Sequence, residues 1–244
     1  MRKVLISAHE GGSEHARPAT YEAYESAIDS GAEYAEFDIR KTREGVMVVY
    51  HDTRIAHPGP LVADLTYEEL CAQLGYTVPR VDEVMQLLGR KLYGHLDLKE
   101  TGYEREVIEL AAKFFGLGNV VITTLEDSSI AAIKRDFPEV RAALSLGRDL
   151  KDIPRKEWAG IRFSELFPLR RIVASKADWV AVNHKLARLG VLSMCQRHNI
   201  GVMVWTINSD ALIKHFMTDQ RVNVLITDRP EYAVRYRTEL TRQD

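Results

Sequence analysis

Short runs of apolar residues alternate with longer amphipathic segments along the whole chain. The runs are rich in β-branched residues, which is typical of buried strands, and the segments between them carry apolar residues at helical spacing. The pattern predicts strands at 3–8, 34–39, 91–99, 119–125, 140–146, 178–183, 201–207 and 222–227. It predicts helices at 18–31, 66–74, 81–89, 103–116, 127–136, 168–176, 186–198, 209–219 and after 227, with 147–167 left irregular.

Strands that alternate with helices favour a parallel sheet. Eight such units in 244 residues fit one closed (β/α)8 (TIM) barrel rather than an open, doubly wound sheet. The extended piece at 45–52 is read as a local addition to the second strand, and residues 53–80, with prolines at 58, 60 and 79, as a small insertion after it. Residues 1–244 are therefore predicted to form a single α/β domain.

Composition narrows the list of partners. The net charge is −2, which does not favour nucleic acid or an anionic membrane surface as the main partner. No apolar run is long enough for a membrane span, and the N-terminal apolar run is too short for a secretory signal. Cys71 and Cys195 are isolated, which fits a reducing compartment, so a cytoplasmic protein is expected.

Polar and ionisable residues follow almost every predicted strand. In a barrel of this class the carboxyl ends of the strands meet at one rim, where active sites form. We therefore expect a site at that rim. The residues at these strand ends are His9, Glu36, Asp38, His51, Asp52, Asp97, Lys99, Thr124, Glu126, Asn183, His184, Trp205 and Asn208.

Glu36 and Asp38 are the most informative pair. Residues two apart on a strand face the same side, so both carboxylates point into the barrel mouth. Two such charges repel by roughly 4 kcal/mol at an effective dielectric of 20, and a divalent cation removes that repulsion. Oxygen ligands favour Mg²⁺ or Ca²⁺, and Asp97 is a third candidate ligand. The alternative is an acid pair bridged by a basic residue such as Lys99 or Arg40.

His9 and His51 are candidates for an acid–base pair. Histidine titrates near neutral pH, and these two stand at neighbouring strand ends beside the acidic cluster. His95 shares strand parity with Asp97 and Lys99, and we interpret it as a structural residue inside the barrel.

Five segments carry a family resemblance. The chain resembles the glycerophosphodiester phosphodiesterase family over nearly its whole length. The second segment is the most specific, because it combines an acidic Glu-x-Asp strand with a strand that ends in His-Asp. The segments, in order, are AHEGG (8–12), GAEYAEFDIRKTREGVMVVYHD (31–52), HLDLK (95–99), VMVWTIN (202–208) and VLITDRP (224–230).

This resemblance implies a metal-dependent hydrolase that converts glycerophosphodiesters, which are small-molecule substrates of lipid metabolism, to glycerol 3-phosphate and an alcohol. It implies a barrel with a small insertion after the second strand, and Mg²⁺ or Ca²⁺ as the metal. The roles that it implies are metal ligation by Glu36, Asp38 and Asp97, acid–base catalysis by His9 and His51, and contact with the substrate by Lys99 and Trp205.

The chain departs from the family pattern at three points. Glu10 stands where the family has an arginine that helps to hold the substrate phosphate, so the charge at a phosphate site is reversed. Pro18-Ala19-Thr20 replaces a Glu-Asn-Thr triplet, and Asp97 is a shorter acid than the usual glutamate. These departures leave other readings open: another lipid, sugar or metabolite phosphodiester as the substrate, a cyclic phosphate product, or a family member that binds a ligand without turnover. The sequence indicates no oligomeric state.

Overall fold

The computed structural model describes residues 3–151 and 153–242, and a closed parallel barrel forms their centre. Strand β1 pairs with both β2 and β9, which closes the cylinder, so the predicted (β/α)8 fold is confirmed. The strands are β1 Leu5–Ala8, β2 Tyr34–Lys41, β3 Met47–Val49, β4 Tyr93–Leu98, β5 Val120–Thr124, β6 Arg141–Leu146, β7 Trp179–Asn183, β8 Gly201–Trp205 and β9 Val224–Thr227.

Strand β3 lies outside the cylinder. It runs antiparallel to the upper end of β2, with Ile39 opposite Val49 and Lys41 opposite Met47. Because this hairpin reverses the chain, the residues after β3 return to the rim where the β2 side chains end. The backbone N–H of Tyr50 donates to the carbonyl of Asp38 at 3.1 Å, which brings His51 close to the acidic strand.

Helices surround the barrel, and some of them begin at a side-chain cap. The Thr20 hydroxyl accepts from the Ala23 N–H at 3.3 Å, and Thr66 with Glu69 forms a capping box. The helices are α1 Tyr21–Asp29, α2 Tyr67–Leu74, α3 Val81–Leu88, α4 Glu104–Phe114, α5 Asp127–Asp136, α6 Arg155–Leu166, α7 Leu169–Ser175, α8 His184–Leu186, α9 Leu192–Arg197, α10 Asp210–Thr218 and α11 Pro230–Thr241.

Two helix predictions were wrong. The stretch predicted to be irregular, 147–167, contains α6 at 155–166. The only buried residue of α6 is Glu165, so no apolar face marks this helix in the sequence. The helix predicted at 186–198 is broken by a wide turn at 187–191, where Gly190 has a φ of 104°. Glycine adopts this conformation without strain, which allows the turn.

The core has two main layers. The larger one lies between the strands and the helices, and the smaller one fills the lower barrel with Tyr34, Val121, Ala143, Met203 and Ile226. Above this small apolar layer, the inward positions of β1, β2, β4 and β5 are polar. Apolar side chains therefore fill the lower part of the barrel, and polar side chains line its interior towards the carboxyl ends of the strands.

Residues 53–80 pack around a third apolar cluster that includes Val62, Leu70 and Val78 together with Val48 of the hairpin. Its assignment as an insertion within a single domain stays a prediction. Among the described residues, both cysteines are free thiols, and no helix combines the length and apolar character needed to cross a membrane.

Candidate active site

Strand register brings the three predicted acids together. Strands β2 and β4 are parallel neighbours, with Glu36 opposite His95 and Asp38 opposite Asp97. One carboxylate oxygen from each of Glu36, Asp38 and Asp97 lies within 4.8 Å of the others. Glu36 and Asp38 are almost fully buried.

Lys99 lies inside this cluster. Its Nζ is 2.8 Å from Asp38 Oδ1 and 2.6 Å from Asp97 Oδ2, so Lys99 bridges Asp38 and Asp97 rather than the pair of Glu36 and Asp38 that the alternative named. Burial opposes the charge on Lys99, but Asp38 and Asp97 outweigh it and raise the pKa of the amine above its usual range. The hydrogen bond that reaches Glu36 comes instead from the backbone N–H of Glu10, at 2.8 Å.

The cluster keeps capacity for a cation. Three carboxylates face one lysine, and Oδ2 of Asp38 is buried without a hydrogen-bond partner among the described residues. Burial first, and then the charge of Asp38, raise the pKa of Glu36 well above its usual value, so the ionised acid is disfavoured in the absence of a cation. An all-oxygen set with an unpartnered buried oxygen fits a divalent metal such as Mg²⁺ or Ca²⁺.

A buried relay orients Asp97. The hydroxyl of Thr123 donates to Asp97 Oδ1, so the Thr123 oxygen accepts from Nε2 of His95 at 3.1 Å. Nδ1 of His95 then accepts from Ser7 Oγ at 2.9 Å. Burial, followed by the charge of His9, lowers the pKa of His95 to about 3, so the ring is neutral. This arrangement agrees with a structural role for His95.

His9 stands at the end of β1 and is held by a residue from the end of β9. Its Nδ1 lies 2.7 Å from Asp228 Oδ1, and Asn208 Nδ2 donates to Asp228 Oδ2 at 2.5 Å. Burial alone would lower the pKa of His9, but Glu36 first and then the Asp228 hydrogen bond raise it to about 10. The contact occupies Nδ1 and leaves Nε2 as the nitrogen that can face a substrate.

Sequence reasoning missed Asp228. It lies within the resemblance segment 224–230 and directly after the last strand, so the same search of strand ends could have found it. For Asn208 the sequence predicts only a position at the rim. Its side-chain oxygen also accepts from the backbone N–H of Asp228 at 3.0 Å, which fixes the orientation of its amide.

His51 is more accessible than His9, with 57% of its side chain exposed, and its Nδ1 lies 2.8 Å from Asp52 Oδ1. The His51 carbonyl accepts from Nε and Nη2 of Arg40 at 3.0 and 2.9 Å. Arg40 is buried and also pairs with Glu100 at 2.8 Å. Arg40 therefore does not bridge Glu36 and Asp38, which was one of the two alternatives; it anchors the loop that carries His51.

Positive charge on either histidine lowers the pKa of Asp38. Burial would raise the pKa of Asp38, but Lys99 first and His51 next lower it below its usual range. His51 is thus brought to the same cluster as His9.

Glu10 turns towards this cluster. Its backbone is left-handed, with φ 48° and ψ 32°, and the strain is offset by its N–H contact with Glu36. Burial raises the pKa of the Glu10 carboxyl, and among charged neighbours His9, Asp38 and His51 act on it most strongly. The chain therefore has a carboxyl group at the position where the family pattern has an arginine.

Trp205 lies across the mouth from the acids, at the end of β8 beside Asn183. It lines the small inner core, and its ring lies against Gly147 so closely that a Cβ there would come within 3.1 Å of it. Other rim residues serve elsewhere: Glu126 pairs with Arg148, and Asn183 caps α8.

Residues 9–232 match the model of the glycerophosphoryl diester phosphodiesterase family. The chain belongs to this family. It is therefore a member of a family of phosphoric diester hydrolases, and the resemblance seen in the sequence is confirmed.

Curated and solved relatives agree with this assignment. The glycerophosphodiester phosphodiesterase of Bacillus altitudinis is 26% identical over 255 residues, covering 96% of this chain and 98% of the relative. A glycerophosphodiester phosphodiesterase structure from Parabacteroides distasonis has a TM-score of 0.78 at 18% identity, covering 98% of each chain. An Oleispira antarctica phosphodiesterase, solved with the product sn-glycerol-3-phosphate, has a TM-score of 0.73 at 16% identity, covering 97% of each chain. At these identities the two structures support the fold.

Proposed function

We propose that the protein is a metal-dependent phosphodiesterase that hydrolyses glycerophosphodiesters to glycerol 3-phosphate and an alcohol. One observation carries the proposal: an unpartnered buried carboxylate oxygen of Asp38 lies within a three-acid cluster between two histidines at the barrel mouth. Family membership supplies the reaction class. The product bound to the Oleispira antarctica relative supports the same substrate class for this chain.

Glu36, Asp38 and Asp97 would hold the metal, as Mg²⁺ or Ca²⁺. A bound divalent ion offsets the negative charge of a phosphate as that charge grows in the transition state. Lys99 contacts a non-bridging phosphate oxygen from its place between Asp38 and Asp97. The metal ion and the Lys99 ammonium together would offset the negative charge of the three acids, which would otherwise repel the phosphate of the substrate.

The two histidines divide the proton transfers. A cation held by Glu36 would offset the charge that does most to raise the pKa of His9, so that the ring can act as a base. His9 then takes a proton from the attacking hydroxyl, a new P–O bond forms, and the bond to the alcohol oxygen breaks. His51 then gives a proton to that alcohol oxygen. If the attacking group is water, the product is glycerol 3-phosphate; if it is a neighbouring hydroxyl of the substrate, a cyclic phosphate forms. Asp228 holds the His9 ring in the orientation that this step needs.

Glu10 and Trp205 shape the part of the mouth that receives the alcohol. Trp205 offers an apolar face opposite the acids, and Glu10 offers a carboxyl group beside them, whose charged form a nearby cation would favour. A carboxylate at this position disfavours a bare phosphate oxygen and favours a cationic alcohol such as choline or ethanolamine. We therefore rank phosphodiesters with a cationic alcohol first among the substrates.

The test is a panel of glycerophosphodiesters assayed with Mg²⁺, Ca²⁺, Mn²⁺ and a chelator. His9→Ala and His51→Ala should each cost at least about 100-fold in kcat. His198→Ala, at an exposed position away from the acidic cluster, is the matched control.

Hydrolysis that persists in chelator would refute the metal role. Full activity in both histidine variants would refute the acid–base assignment. Phosphorus NMR distinguishes a cyclic phosphate from glycerol 3-phosphate.

A further inference from the structure

Helix α6 lacks the usual buried face of a barrel helix. Its first six residues, 155–160, are all exposed, and Glu165 is its only buried residue. A helix that buries no apolar stripe gains little stability in water. Open cavities of about 560 and 360 Å³ also flank it, lined in part by Trp158 and Ile161 respectively.

Several large apolar residues of this region are exposed to solvent. Phe163 and Phe167 are 66% and 65% exposed, and their ring centroids are 4.9 Å apart. Trp158 is exposed on the same helix, and Leu189 is 66% exposed on the turn 187–191, which contacts α6. We call these four residues, Trp158, Phe163, Phe167 and Leu189, the rim patch. Large apolar groups clustered at the surface mark an interaction site.

The rim patch lies on the same face of the barrel as the acidic cluster. Helix α6 follows the carboxyl end of β6, and the turn 187–191 follows that of β7. The carboxyl ends of all eight parallel strands share one rim. Anything that binds the patch is therefore held beside the mouth.

Basic residues are frequent in the segment that carries the patch. Residues 155–189 contain eight Arg and Lys against three Asp and Glu, although the whole chain has a net charge of −2. Several of the basic side chains have no ion-pair partner within 3–151 and 153–242: Arg155, Lys156, Arg170, Lys185 and Arg188. The average charge, which argued against an anionic membrane surface, thus hides a local excess of positive charge.

We propose that the rim patch docks the protein on an anionic lipid bilayer. Exposed Trp and Phe side chains enter the headgroup region, and Arg and Lys around them are attracted to anionic lipids. The docking does not depend on the proposed function. Its consequence does: a bilayer at this rim would deliver phosphodiesters that carry an acyl chain directly to the mouth.

The test measures flotation of the full chain with vesicles of phosphatidylcholine alone and of equimolar phosphatidylcholine and phosphatidylglycerol. We expect binding to the anionic vesicles only, and its loss at high salt. Phe163→Ser with Phe167→Ser should lower the bound fraction by about tenfold, as should Lys156→Glu with Arg188→Glu. The matched controls are Tyr93→Ser and Lys91→Glu, exposed residues at the opposite end of the barrel, which should bind as the unaltered protein does.

Activity on soluble glycerophosphocholine separates this proposal from the proposed function. It should be unchanged in the patch variants, because none of the altered residues belongs to the acidic cluster or the histidine pair. A loss of soluble activity in these variants would show a structural role and overturn the proposal. So would equal binding to both vesicles, no binding to either, or a dimer in light scattering that the Phe163→Ser, Phe167→Ser variant converts to a monomer.

Discussion

Replacing Asp228 by asparagine tests whether His9 depends on a carboxylate partner. The contact is 2.7 Å long and only about a quarter exposed, with side-chain exposures of 26% and 28%. Asparagine keeps the shape but removes the charge. The Asn208 amide cannot simply turn to accommodate the change, because its oxygen already accepts from the Asp228 N–H at 3.0 Å. The Asn208 N–H therefore donates to the amide oxygen of the substituted side chain, and the NH₂ group of that side chain faces Nδ1 of His9.

The size of the effect follows from this geometry. Two unit charges about 4 Å apart interact by about 4 kcal/mol at an effective dielectric of 20. Partial exposure reduces this to about 1–2 kcal/mol. Each 1.4 kcal/mol is tenfold in rate, and the ring would also be held in the wrong tautomer, so kcat should fall by about 10- to 100-fold. The pKa of His9 should move down by about one unit.

The assay is a pH–rate profile of metal-loaded enzyme on a soluble glycerophosphodiester, with KM measured at each pH. We expect a lower kcat and a nearly unchanged KM. The acidic limb of the profile should move to lower pH, because loss of the Asp228 charge lowers the pKa of His9. Asp210→Asn is the matched control, since Asp210 is a nearby acid that pairs with Arg229 rather than His9. An unchanged profile in the Asp228 variant, or the same loss in the control, would refute the reasoning.

Three further predictions follow from other contacts. Arg40→Met frees the His51 carbonyl and should lower kcat by about tenfold with metal affinity unchanged by calorimetry; a loss of metal binding would contradict this. Glu10→Gln should lower kcat/KM for glycerophosphocholine by about five- to tenfold and leave glycerophosphoglycerol unaffected, and an equal loss on both substrates would count against it. Burial would raise the pKa of Glu33, but hydrogen bonds, that from Arg237 foremost, lower its folded pKa below the usual value. The ionised carboxylate therefore stabilises the folded protein at neutral pH, and this stabilisation is lost as the pH falls through the folded pKa. Glu33→Gln should therefore cost about 1–2 kcal/mol in urea unfolding at neutral pH, and this cost should shrink as the pH falls through the folded pKa of Glu33; a difference that does not change with pH would contradict the linkage.

The fold and the acidic cluster were largely readable from the sequence. Strict alternation of strands and helices predicts the barrel, and the two-residue period places Glu36 and Asp38 on one side of β2. The adjacency of Asp97 rests on the pairing of β2 with β4, which strand order in a parallel barrel also predicts.

The supports of the histidines were not readable in the same way. The contact between His9 and Asp228 joins residues 219 positions apart and depends on closure of the barrel. Arg40 reaches His51 only because β3 folds back on β2, which sequence spacing does not specify. Helix α6 escaped detection for a different reason: none of its apolar residues is fully buried, so no core periodicity reveals it.

Gly147 belongs to none of the five resemblance segments, yet its missing side chain leaves room for the Trp205 ring at the barrel mouth. Its φ is 119°, and a Cβ there would lie 2.6 Å from that of Asn183 and 3.1 Å from the Trp205 ring. Any side chain at this position would strain the backbone and force the indole from its place. A saturation scan read out by substrate turnover should thus find this position as intolerant as the motif residues. Evolutionary change in substrate size is accordingly expected to act through Trp205 and the loops around it, with residue 147 kept as glycine.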